Sequence, residues 1–352
     1  MNAITPGSSV IRPSAAQVDF YSREGGAPVA HGSTATRLLQ SGMSVQALRT
    51  LDVLTKEEWL LYDTTVISVA RQRLVAVADL LDRGLRFDLA NGLGTTVVQW
   101  DTISDMDPAE VSMSGVTEGI RDRQLFSLKS LPIPLIHKDF SINIRVLEAS
   151  RRRGESLDTT QAAMATRLVV EGVENMLFNG NTLQAGAYGT IPGYKTTTNR
   201  VTGSLSDWTV GSGATPSGGQ NAVKDVLAMI TALNAKHMYG PYMIYVPVSW
   251  GVTLGDDFKQ YSDRTTIERI LAIPGILGVR SSEYLVSTPK AEVLMVQMTS
   301  DVVDEIVGMQ PTTVMWEEMG GMVVRFKIIA IMVPRVKADY KAQCGIAHFT
   351  QP

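Results

Sequence analysis

Residues 140–180 read FSINIRVLEASRRRGESLDTTQAAMATRLVVEGVENMLFNG. Phe140, Ile142 and Ile144 alternate with Ser141, Asn143 and Arg145, the period of a strand with one buried face. A long amphipathic helix is expected next. Asp158 is placed to cap it, and Gln161 three positions on can return the bond as in a capping box. Ala162, Ala165, Leu168, Val169, Val173, Met176 and Leu177 recur at three- and four-residue steps and form one apolar stripe, with Arg167, Glu171 and Glu174 off it. Gly180 should end the helix, since glycine takes the left-handed conformation at little cost. Residues 158–179 then make a rod of about 33 Å at ~1.5 Å per residue. The following NTLQAGAYGTIPGYKT (181–196) is a glycine-rich loop.

Upstream, Thr55 and Glu58 have capping-box spacing, with Leu54 able to staple onto Trp59 or Leu60. The helix behind them can run to Arg83, with Ile67, Ala70, Leu74, Val77 and Leu81 on one face and Gly84 as terminator. The β-branched pair Thr64-Thr65 is its weak point. Residues 95–104, TTVVQWDTIS, favour a strand; Asp105-Met106-Asp107-Pro108 punctuates it, and a polar stretch follows to about Arg123. In residues 125–136 Leu131, Ile133 and Leu135 alternate with Pro132 and Pro134, which excludes a helix and a central strand. This is an extended pair with a long polar tip. Ten strand residues give it about 33 Å of reach. Residues 1–50 carry Pro6, Pro13, Pro28 and several glycines among small polar residues, so they bury no core of their own; Arg12, Arg23, Arg37 and Arg49 outnumber Asp19 and Glu24. They read either as a disordered tail or as an arm ordered by a partner.

Downstream, residues 196–220 are Ser/Thr/Gly-rich and read as exposed loop or short strand. Val223, Val226, Leu227, Ile230 and Leu233 restore helical period over 221–237, Gly240-Pro241 stops it, and YMIYVP (242–247) is a strongly apolar strand. A short helix follows Val248-Ser249-Trp250, and Thr265 with Glu268 opens another that ends before Pro274. Strands are expected at 292–298 and 312–316, two helical turns at 301–307, and a hairpin at Gly320-Gly321. Beyond it Arg325 and Lys327 face opposite Val324, Phe326 and Ile328. Cys344 is expected near the end of a strand.

With 352 residues the chain has room for two or three core-bearing units. Its formal net charge of −3 provides no global basic field for gripping nucleic acid. A single cysteine permits no intrachain disulfide and suits a reducing cytoplasm. MNAITPGSSV has no basic start followed by an apolar core, so a secretion signal is not expected. The longest apolar run, 328–333, is too short to span a bilayer. His31, His137, His237 and His348 are scattered, and no zinc spacing, Walker lysine motif or Gly-x-Ser-x-Gly elbow occurs. Gly92-Leu93-Gly94 precedes a strand where a dinucleotide fingerprint must follow one, so it reads as a turn. The pairs Asp105/Asp107, Asp256/Asp257 and Glu317/Glu318 read as capping or solubility rather than catalysis. No cofactor or metal is expected.

The strand, the long helix closed by Phe-Asn-Gly-Asn and the Ile191-Pro192-Gly193 segment resemble, in that order and spacing, the major capsid proteins of tailed bacteriophages and the related encapsulin shell proteins. The resemblance covers roughly residues 50 to 350. It implies an α+β, Hong Kong 97-like fold: an N-terminal arm (1–54), a peripheral-domain helix (55–94), an E-loop hairpin (95–136), a peripheral domain with spine helix (137–190; helix 158–179), an axial domain (191–300) and returning peripheral strands (301–352). It implies a structural protein, not an enzyme, that joins copies of itself as pentamers and hexamers into an icosahedral virion shell around double-stranded DNA, assembled in the bacterial cytoplasm without a membrane. Separate scaffolding, portal and decoration proteins are possible partners in that family. An encapsulin-type compartment holding enzyme cargo is the second reading, and a cytoplasmic α/β enzyme, on which residues 95–136 would be an ordinary hairpin, the third. Arg151, Arg152 and Arg153 read first as a solvated turn. They are also candidates to pair across subunits with carboxylates, since guanidinium suits bidentate contacts; Trp100, Asp105 and Asp107 of the hairpin are the other contact candidates. Some family members weld subunits through a lysine–asparagine bond. Lys129 lies away from the hairpin tip, so that chemistry is not expected here.

Overall fold

In a computed structural model the described residues are 56–104, 123–153, 159–183, 189–286, 290–319 and 322–352, with positions 106, 113 and 288. The chain opens on helix α1 (Lys56–Arg73), breaks at Leu74-Val75 and resumes as α2 (Ala76–Asp82). One continuous helix was the expectation, with its weak point at Thr64-Thr65. There the two hydroxyls donate back to the carbonyls of Leu60 and Leu61, at 2.7 and 2.8 Å, and the helix continues. The break falls later because Glu174, from a distant helix, accepts the N–H groups of Ala76 and Val77 at 2.7 and 3.2 Å. Gly84, at φ +71°, ends α2 as expected. Thr55, the proposed cap of α1, and the expected arm lie outside the described residues.

Strand β1 (Arg86–Asp88) leads through a turn to β2 (Val97–Ile103), which pairs antiparallel with β3 (Phe126–Pro132) as an isolated two-stranded ribbon. Pro132 closes β3 at the ribbon root, opposite Val97, where a missing N–H is tolerated. β4 (Ile136–Asn143) shows the expected alternation over its second half and runs directly into α3 (Ile144–Arg153). The three arginines expected in a turn are therefore the last residues of a helix. Leu147, fully buried, anchors α3, and cations at a helix C-terminus meet the favourable end of its dipole.

The long helix α4 (Thr160–Asn179) follows, ending at Gly180 with φ +70°. Its N-cap is Thr159, which makes no side-chain cap bond; Asp158 lies outside the described residues, and the capping box with Gln161 is not formed. The stripe is buried as expected except at Leu168, which is exposed, and Glu174, expected outside it, is 2% exposed.

β5 (Asn181–Thr182) and β6 (Thr190–Ile191) form a small hairpin, and β7 (Val201–Ser204) a short strand within the polar region. Helix α5 (Gly218–Asn234) starts three residues before the expected position, because Ser217 and Gln220 form a full capping box. Leu227, expected in its core face, is exposed. β8 (Tyr242–Pro247) is buried throughout. α6 (Val248–Thr253) and α7 (Thr266–Leu271) follow, the latter capped by Thr265 Oγ1 accepting from Glu268 N at 3.4 Å.

Strand β9 (Ile276–Ser282), not anticipated, pairs parallel with β8. After β10 (Glu292–Gln297) comes β11 (Val303–Glu318), whose first residues were expected as helical turns. Residues 303–307 are buried on both faces, so the apolar/polar alternation that betrays a strand is missing. β12 (Val323–Val336) returns antiparallel, and β13 (Ile346–Thr350) completes the chain just after the buried Cys344, which thus precedes a strand rather than ending one.

Besides the β2–β3 ribbon and the β5–β6 hairpin, the described residues form two larger sheets, ordered β1-β11-β12-β4 and β7-β13-β10-β8-β9. One apolar core runs between them beneath α4, joining Val173, Leu177 and Phe178 to Val303, Val307 and Ile328 of the first sheet and to Met243, Tyr245 and Leu294 of the second. Phe178 meets Tyr245 edge-on at 5.5 Å and stacks with Tyr284 at 5.9 Å. At the far end of the first sheet the rings of Tyr62, Phe140 and Phe326 cluster, Phe326 lying 5.3 Å from Tyr62 and 5.0 Å from Phe140, and so pin α1 to β4 and β12.

Candidate subunit interface

The ribbon β2–β3 has two unlike faces. Its register pairs Val98 with Leu131, Trp100 with Lys129 and Thr102 with Ser127 on one face, and Val97 with Pro132, Asp101 with Leu128 and Ile103 with Phe126 on the other. The first face is anchored at its root, where Val98 and Leu131 join Met176, Ile191, Ile306 and Val333 in a buried cluster. The second is open. Val97, Ile103, Phe126 and Leu128 are 47%, 48%, 65% and 62% exposed. Among the described residues nothing covers these apolar side chains, which makes this face of the ribbon a candidate contact surface.

The candidate residues fall differently. Trp100 lies on the rooted face, half-buried against its own chain, with the Arg335 guanidinium 5.4 Å from its ring centre. Arg335 also lies 4.8 Å from the Phe87 ring and donates from Nε to Asp304 Oδ1 at 2.7 Å, so the ribbon root rests on a buried ion pair. Asp105 and Asp107 lie outside the described residues. Arg151, Arg152 and Arg153 end α3, where Arg152 is exposed. Beside the sequence candidates Arg151, Arg152, Arg153, Trp100, Asp105 and Asp107, the structure adds exposed apolar positions, since Phe126 and Leu128 recur at period two beside Ile103 on the other face.

A second exposed apolar group lies on the helical end of the other sheet, where Val248, Val252, Tyr261 and Leu271 stand out, Val252 and Tyr261 at 77% and 92%. The β11–β12 tip exposes Met319 and Met322. Behind it Glu318 accepts from Trp316 Nε1 at 3.1 Å and pairs with Arg325 at 2.7 Å, so this carboxylate serves the hairpin itself. Asp256 Oδ1 accepts the N–H of Asp257 at 2.9 Å in a loop, a capping role.

His348 is buried on β13, its Nδ1 accepting from Arg200 Nε at 3.2 Å. Burial pushes its pKa down to about 4, helped by Arg200 and Lys195 and opposed by Glu292. It is neutral at physiological pH and serves the packing. Glu292 instead pairs with Lys195 at 2.6 Å. His237 bonds Tyr239, at 3.1 Å, on the surface. Among the described residues no group of three or more His, Cys, Asp or Glu side chains is placed to hold a metal ion, and no helix is long and apolar enough to cross a membrane.

A family model described as a family of unknown function, DUF6260, matches residues 46–349. The type 1 encapsulin shell protein of Myxococcus xanthus is 30% identical over 194 residues, covering 54% of this chain and 60% of that protein. A diheme-cytochrome-encapsulin shell fusion protein of Kuenenia stuttgartiensis is 27% identical over 193 residues, 55% of this chain and 48% of that one. The chain thus spans about half to three-fifths of the length of these relatives. Among solved structures, the virus-like particle from Pyrococcus furiosus superposes with a TM-score of 0.57 at 17% identity, over 83% of this chain and 98% of that one. The capsid of Myoviridae phage XM1 superposes at 0.59 and 10% identity, over 77% and 90%. At such identities the likeness carries the architecture, which is α+β and Hong Kong 97-like.

Proposed function

The chain belongs to DUF6260, a family of unknown function, and shares the capsid and encapsulin shell fold; from that premise we propose that it is the structural subunit of an icosahedral shell. The observation that carries this reading is the open face of the β2–β3 ribbon, where Val97, Ile103, Phe126 and Leu128 stay exposed among the described residues. Its occupant is the body of a neighbouring copy. Each chain gives a ribbon and receives one, and such head-to-tail contacts close into rings when the rotation fits, here pentamers and hexamers.

In this reading residues 95–136 are the E-loop and residues 1–54 an arm laid on a neighbour. The sheet β7-β13-β10-β8-β9 with α5 to α7 is the unit that gathers at the symmetry axes, presenting Val252 and Tyr261 there. The shell encloses phage double-stranded DNA without reading its sequence, consistent with a net charge of −3, and the particle is the virion. Scaffolding, portal and decoration functions fall to other proteins. The protein performs no catalysis. The matches to encapsulin shells at 30% and 27% identity favour a second reading, a compartment holding a protein cargo.

Negative-stain microscopy and sedimentation of the expressed full chain test the proposal. Closed particles are expected. A compact monomer or small oligomer, as an enzyme would give, ends it. Nuclease-protected DNA within particles made in the native host supports the capsid, and a co-purifying enzyme the compartment.

A further inference from the structure

Outward from its root the β2–β3 ribbon meets the body a second time, at Arg335. The root itself is apolar: Val98 and Leu131 pack with Ile306 of β11 and Val333 of β12. Two residues further along β2 and β12, and therefore on the same faces, stand Trp100 and Arg335. The Arg335 guanidinium lies over the Trp100 ring, 5.4 Å from its centre, and over the Phe87 ring of β1 at 4.8 Å. Phe87 is the register partner of Ile306, so it belongs to that face of the sheet too.

The plane of that guanidinium is fixed. Arg335 Nε donates to Asp304 Oδ1 at 2.7 Å and Nη2 donates to Asp304 Oδ2, a fork made by two buried side chains that face each other across β11 and β12. Lys337 holds the same carboxylate from another direction, 2.8 Å from Oδ2, and is itself anchored on the Ser300 carbonyl at 2.7 Å. The sheet thus fixes the carboxylate, the carboxylate fixes the guanidinium, and the guanidinium presents its flat surface to two rings. A lysine here would keep the charge and lose both the fork and the flat surface.

We propose that Arg335 is a positioning residue that sets, through the Trp100 ring, the angle at which the β2–β3 ribbon stands on the subunit. The ribbon is a two-stranded element that joins neither larger sheet, and such a pair has little rigidity of its own. Held only by Val98 and Leu131 it can rock about its root. The contact at Trp100, two residues or about 7 Å further out, adds the second point that stops the rocking. A partly desolvated cation–ring contact is enough to favour one orientation by about tenfold. The clamp is a property of one subunit; that it aims the open face of Phe126 and Leu128 at a neighbour rests on the shell reading. A face already aimed loses less freedom when it docks.

Distances between paired spin labels test it, one label at Gln124→Cys beyond the outer end of β3 and one at Ser68→Cys on α1, both exposed positions, while the native Cys344 is buried. The full chain carries Phe126→Glu to keep copies apart, and an excess of unlabelled chain restricts the reading to distances within one subunit. With Arg335 and Trp100 in place one narrow distribution is expected. Arg335→Lys and Trp100→Leu are each expected to widen it about twofold, whereas Trp100→Phe, which restores a ring, keeps it narrow. A role in stability alone would lower the melting point without this pattern. A broad distribution with both residues in place, an unchanged width in Arg335→Lys, or equal widths in Trp100→Phe and Trp100→Leu overturns the proposal. Should Arg335→Lys not fold, the two Trp100 variants, which leave the pair with Asp304 intact, decide alone. Assembly plays no part in this readout, so its failure is distinct from failure of the shell reading.

Discussion

Gly92 lies flat against Gly308: a β-carbon on Gly92 would stand 2.6 Å from the backbone of Gly308, and one on Gly308 would stand 2.9 Å from the α-carbon of Gly92. Gly308 also interrupts the register of β11 with β12, between Val307 and Met309, so the turn after β1 seats on that irregularity. Both obstacles are backbone and cannot swing aside. Gly92→Ala is expected to destabilise the subunit by about 1–3 kcal/mol and to lower its thermal midpoint by a few degrees. An unchanged melting curve would show that the turn does not need this approach.

The Asp304–Arg335 pair offers a sharper test, because both side chains are buried and Lys337 adds a contact to Asp304 at 2.8 Å. Removing one partner strands the other charge. Asp304→Ala is expected to cost about 3–5 kcal/mol, whereas replacing both with apolar residues of similar volume should cost much less. Urea midpoints of the single and double variants give the comparison, and equal losses would mean that the ion pair matters only as packing.

Much of this arrangement could be read from the chain, and what was missed has a common cause. Phe140, Ile142, the apolar positions of α4 and the caps at Thr265 and Gly180 announce themselves because local pattern and tertiary need agree. Glu174 and the strand start at Val303 do not. Glu174 is buried to cap a helix nearly a hundred residues earlier, and Val303 starts a strand covered on both sides, so each answers to a partner that no local window contains. The ribbon was legible as a ribbon. Which face it offers depended on the register of β2 against β3, since a shift of one residue would exchange the two faces.

That register sets a prediction on assembly. Phe126 and Leu128 make few contacts within their own chain, so Phe126→Glu or Leu128→Glu should leave the subunit folded, with an unchanged circular dichroism melt, while particles disappear from sedimentation profiles. Trp100→Ala should do the reverse, lowering subunit stability through the lost stack with Arg335. Intact particles from both glutamate variants would remove the ribbon face from the interface.

The arginines at the end of α3 separate two roles for a charge cluster. If Arg152 only solvates the helix end, its reversal changes nothing beyond a few tenths of a kcal/mol. In the shell reading it meets a carboxylate of a neighbour, so Arg152→Glu is expected to cut particle yield and to make what remains more sensitive to salt. Wild-type yield in this variant sinks the pairing for that residue.

Glu305 makes the last prediction, and its sign follows from burial alone. It is fully buried, both oxygens lack partners, and burial first, then Glu174 and Asp304, push its pKa well above 4.5. The unfolded chain gives up this proton near pH 4.5 while the folded chain keeps it, so folding takes up a proton over that window and stability falls as pH rises. The slope is at most about 1.4 kcal/mol per pH unit for one such group, and it ends where the folded carboxyl itself ionises. Glu305→Met has nearly the same volume, removes the stranded oxygens and cannot titrate. It is expected to be more stable than the wild type by about 1–3 kcal/mol at pH 5, with the gap widening at each step toward pH 8. Denaturation at several pH values, taken as the difference between the two proteins, reads this residue together with its coupling to Glu174. A constant gap would mean that Glu305 reaches water in the folded subunit, and a gap that narrows with pH would reverse the assignment of its charge.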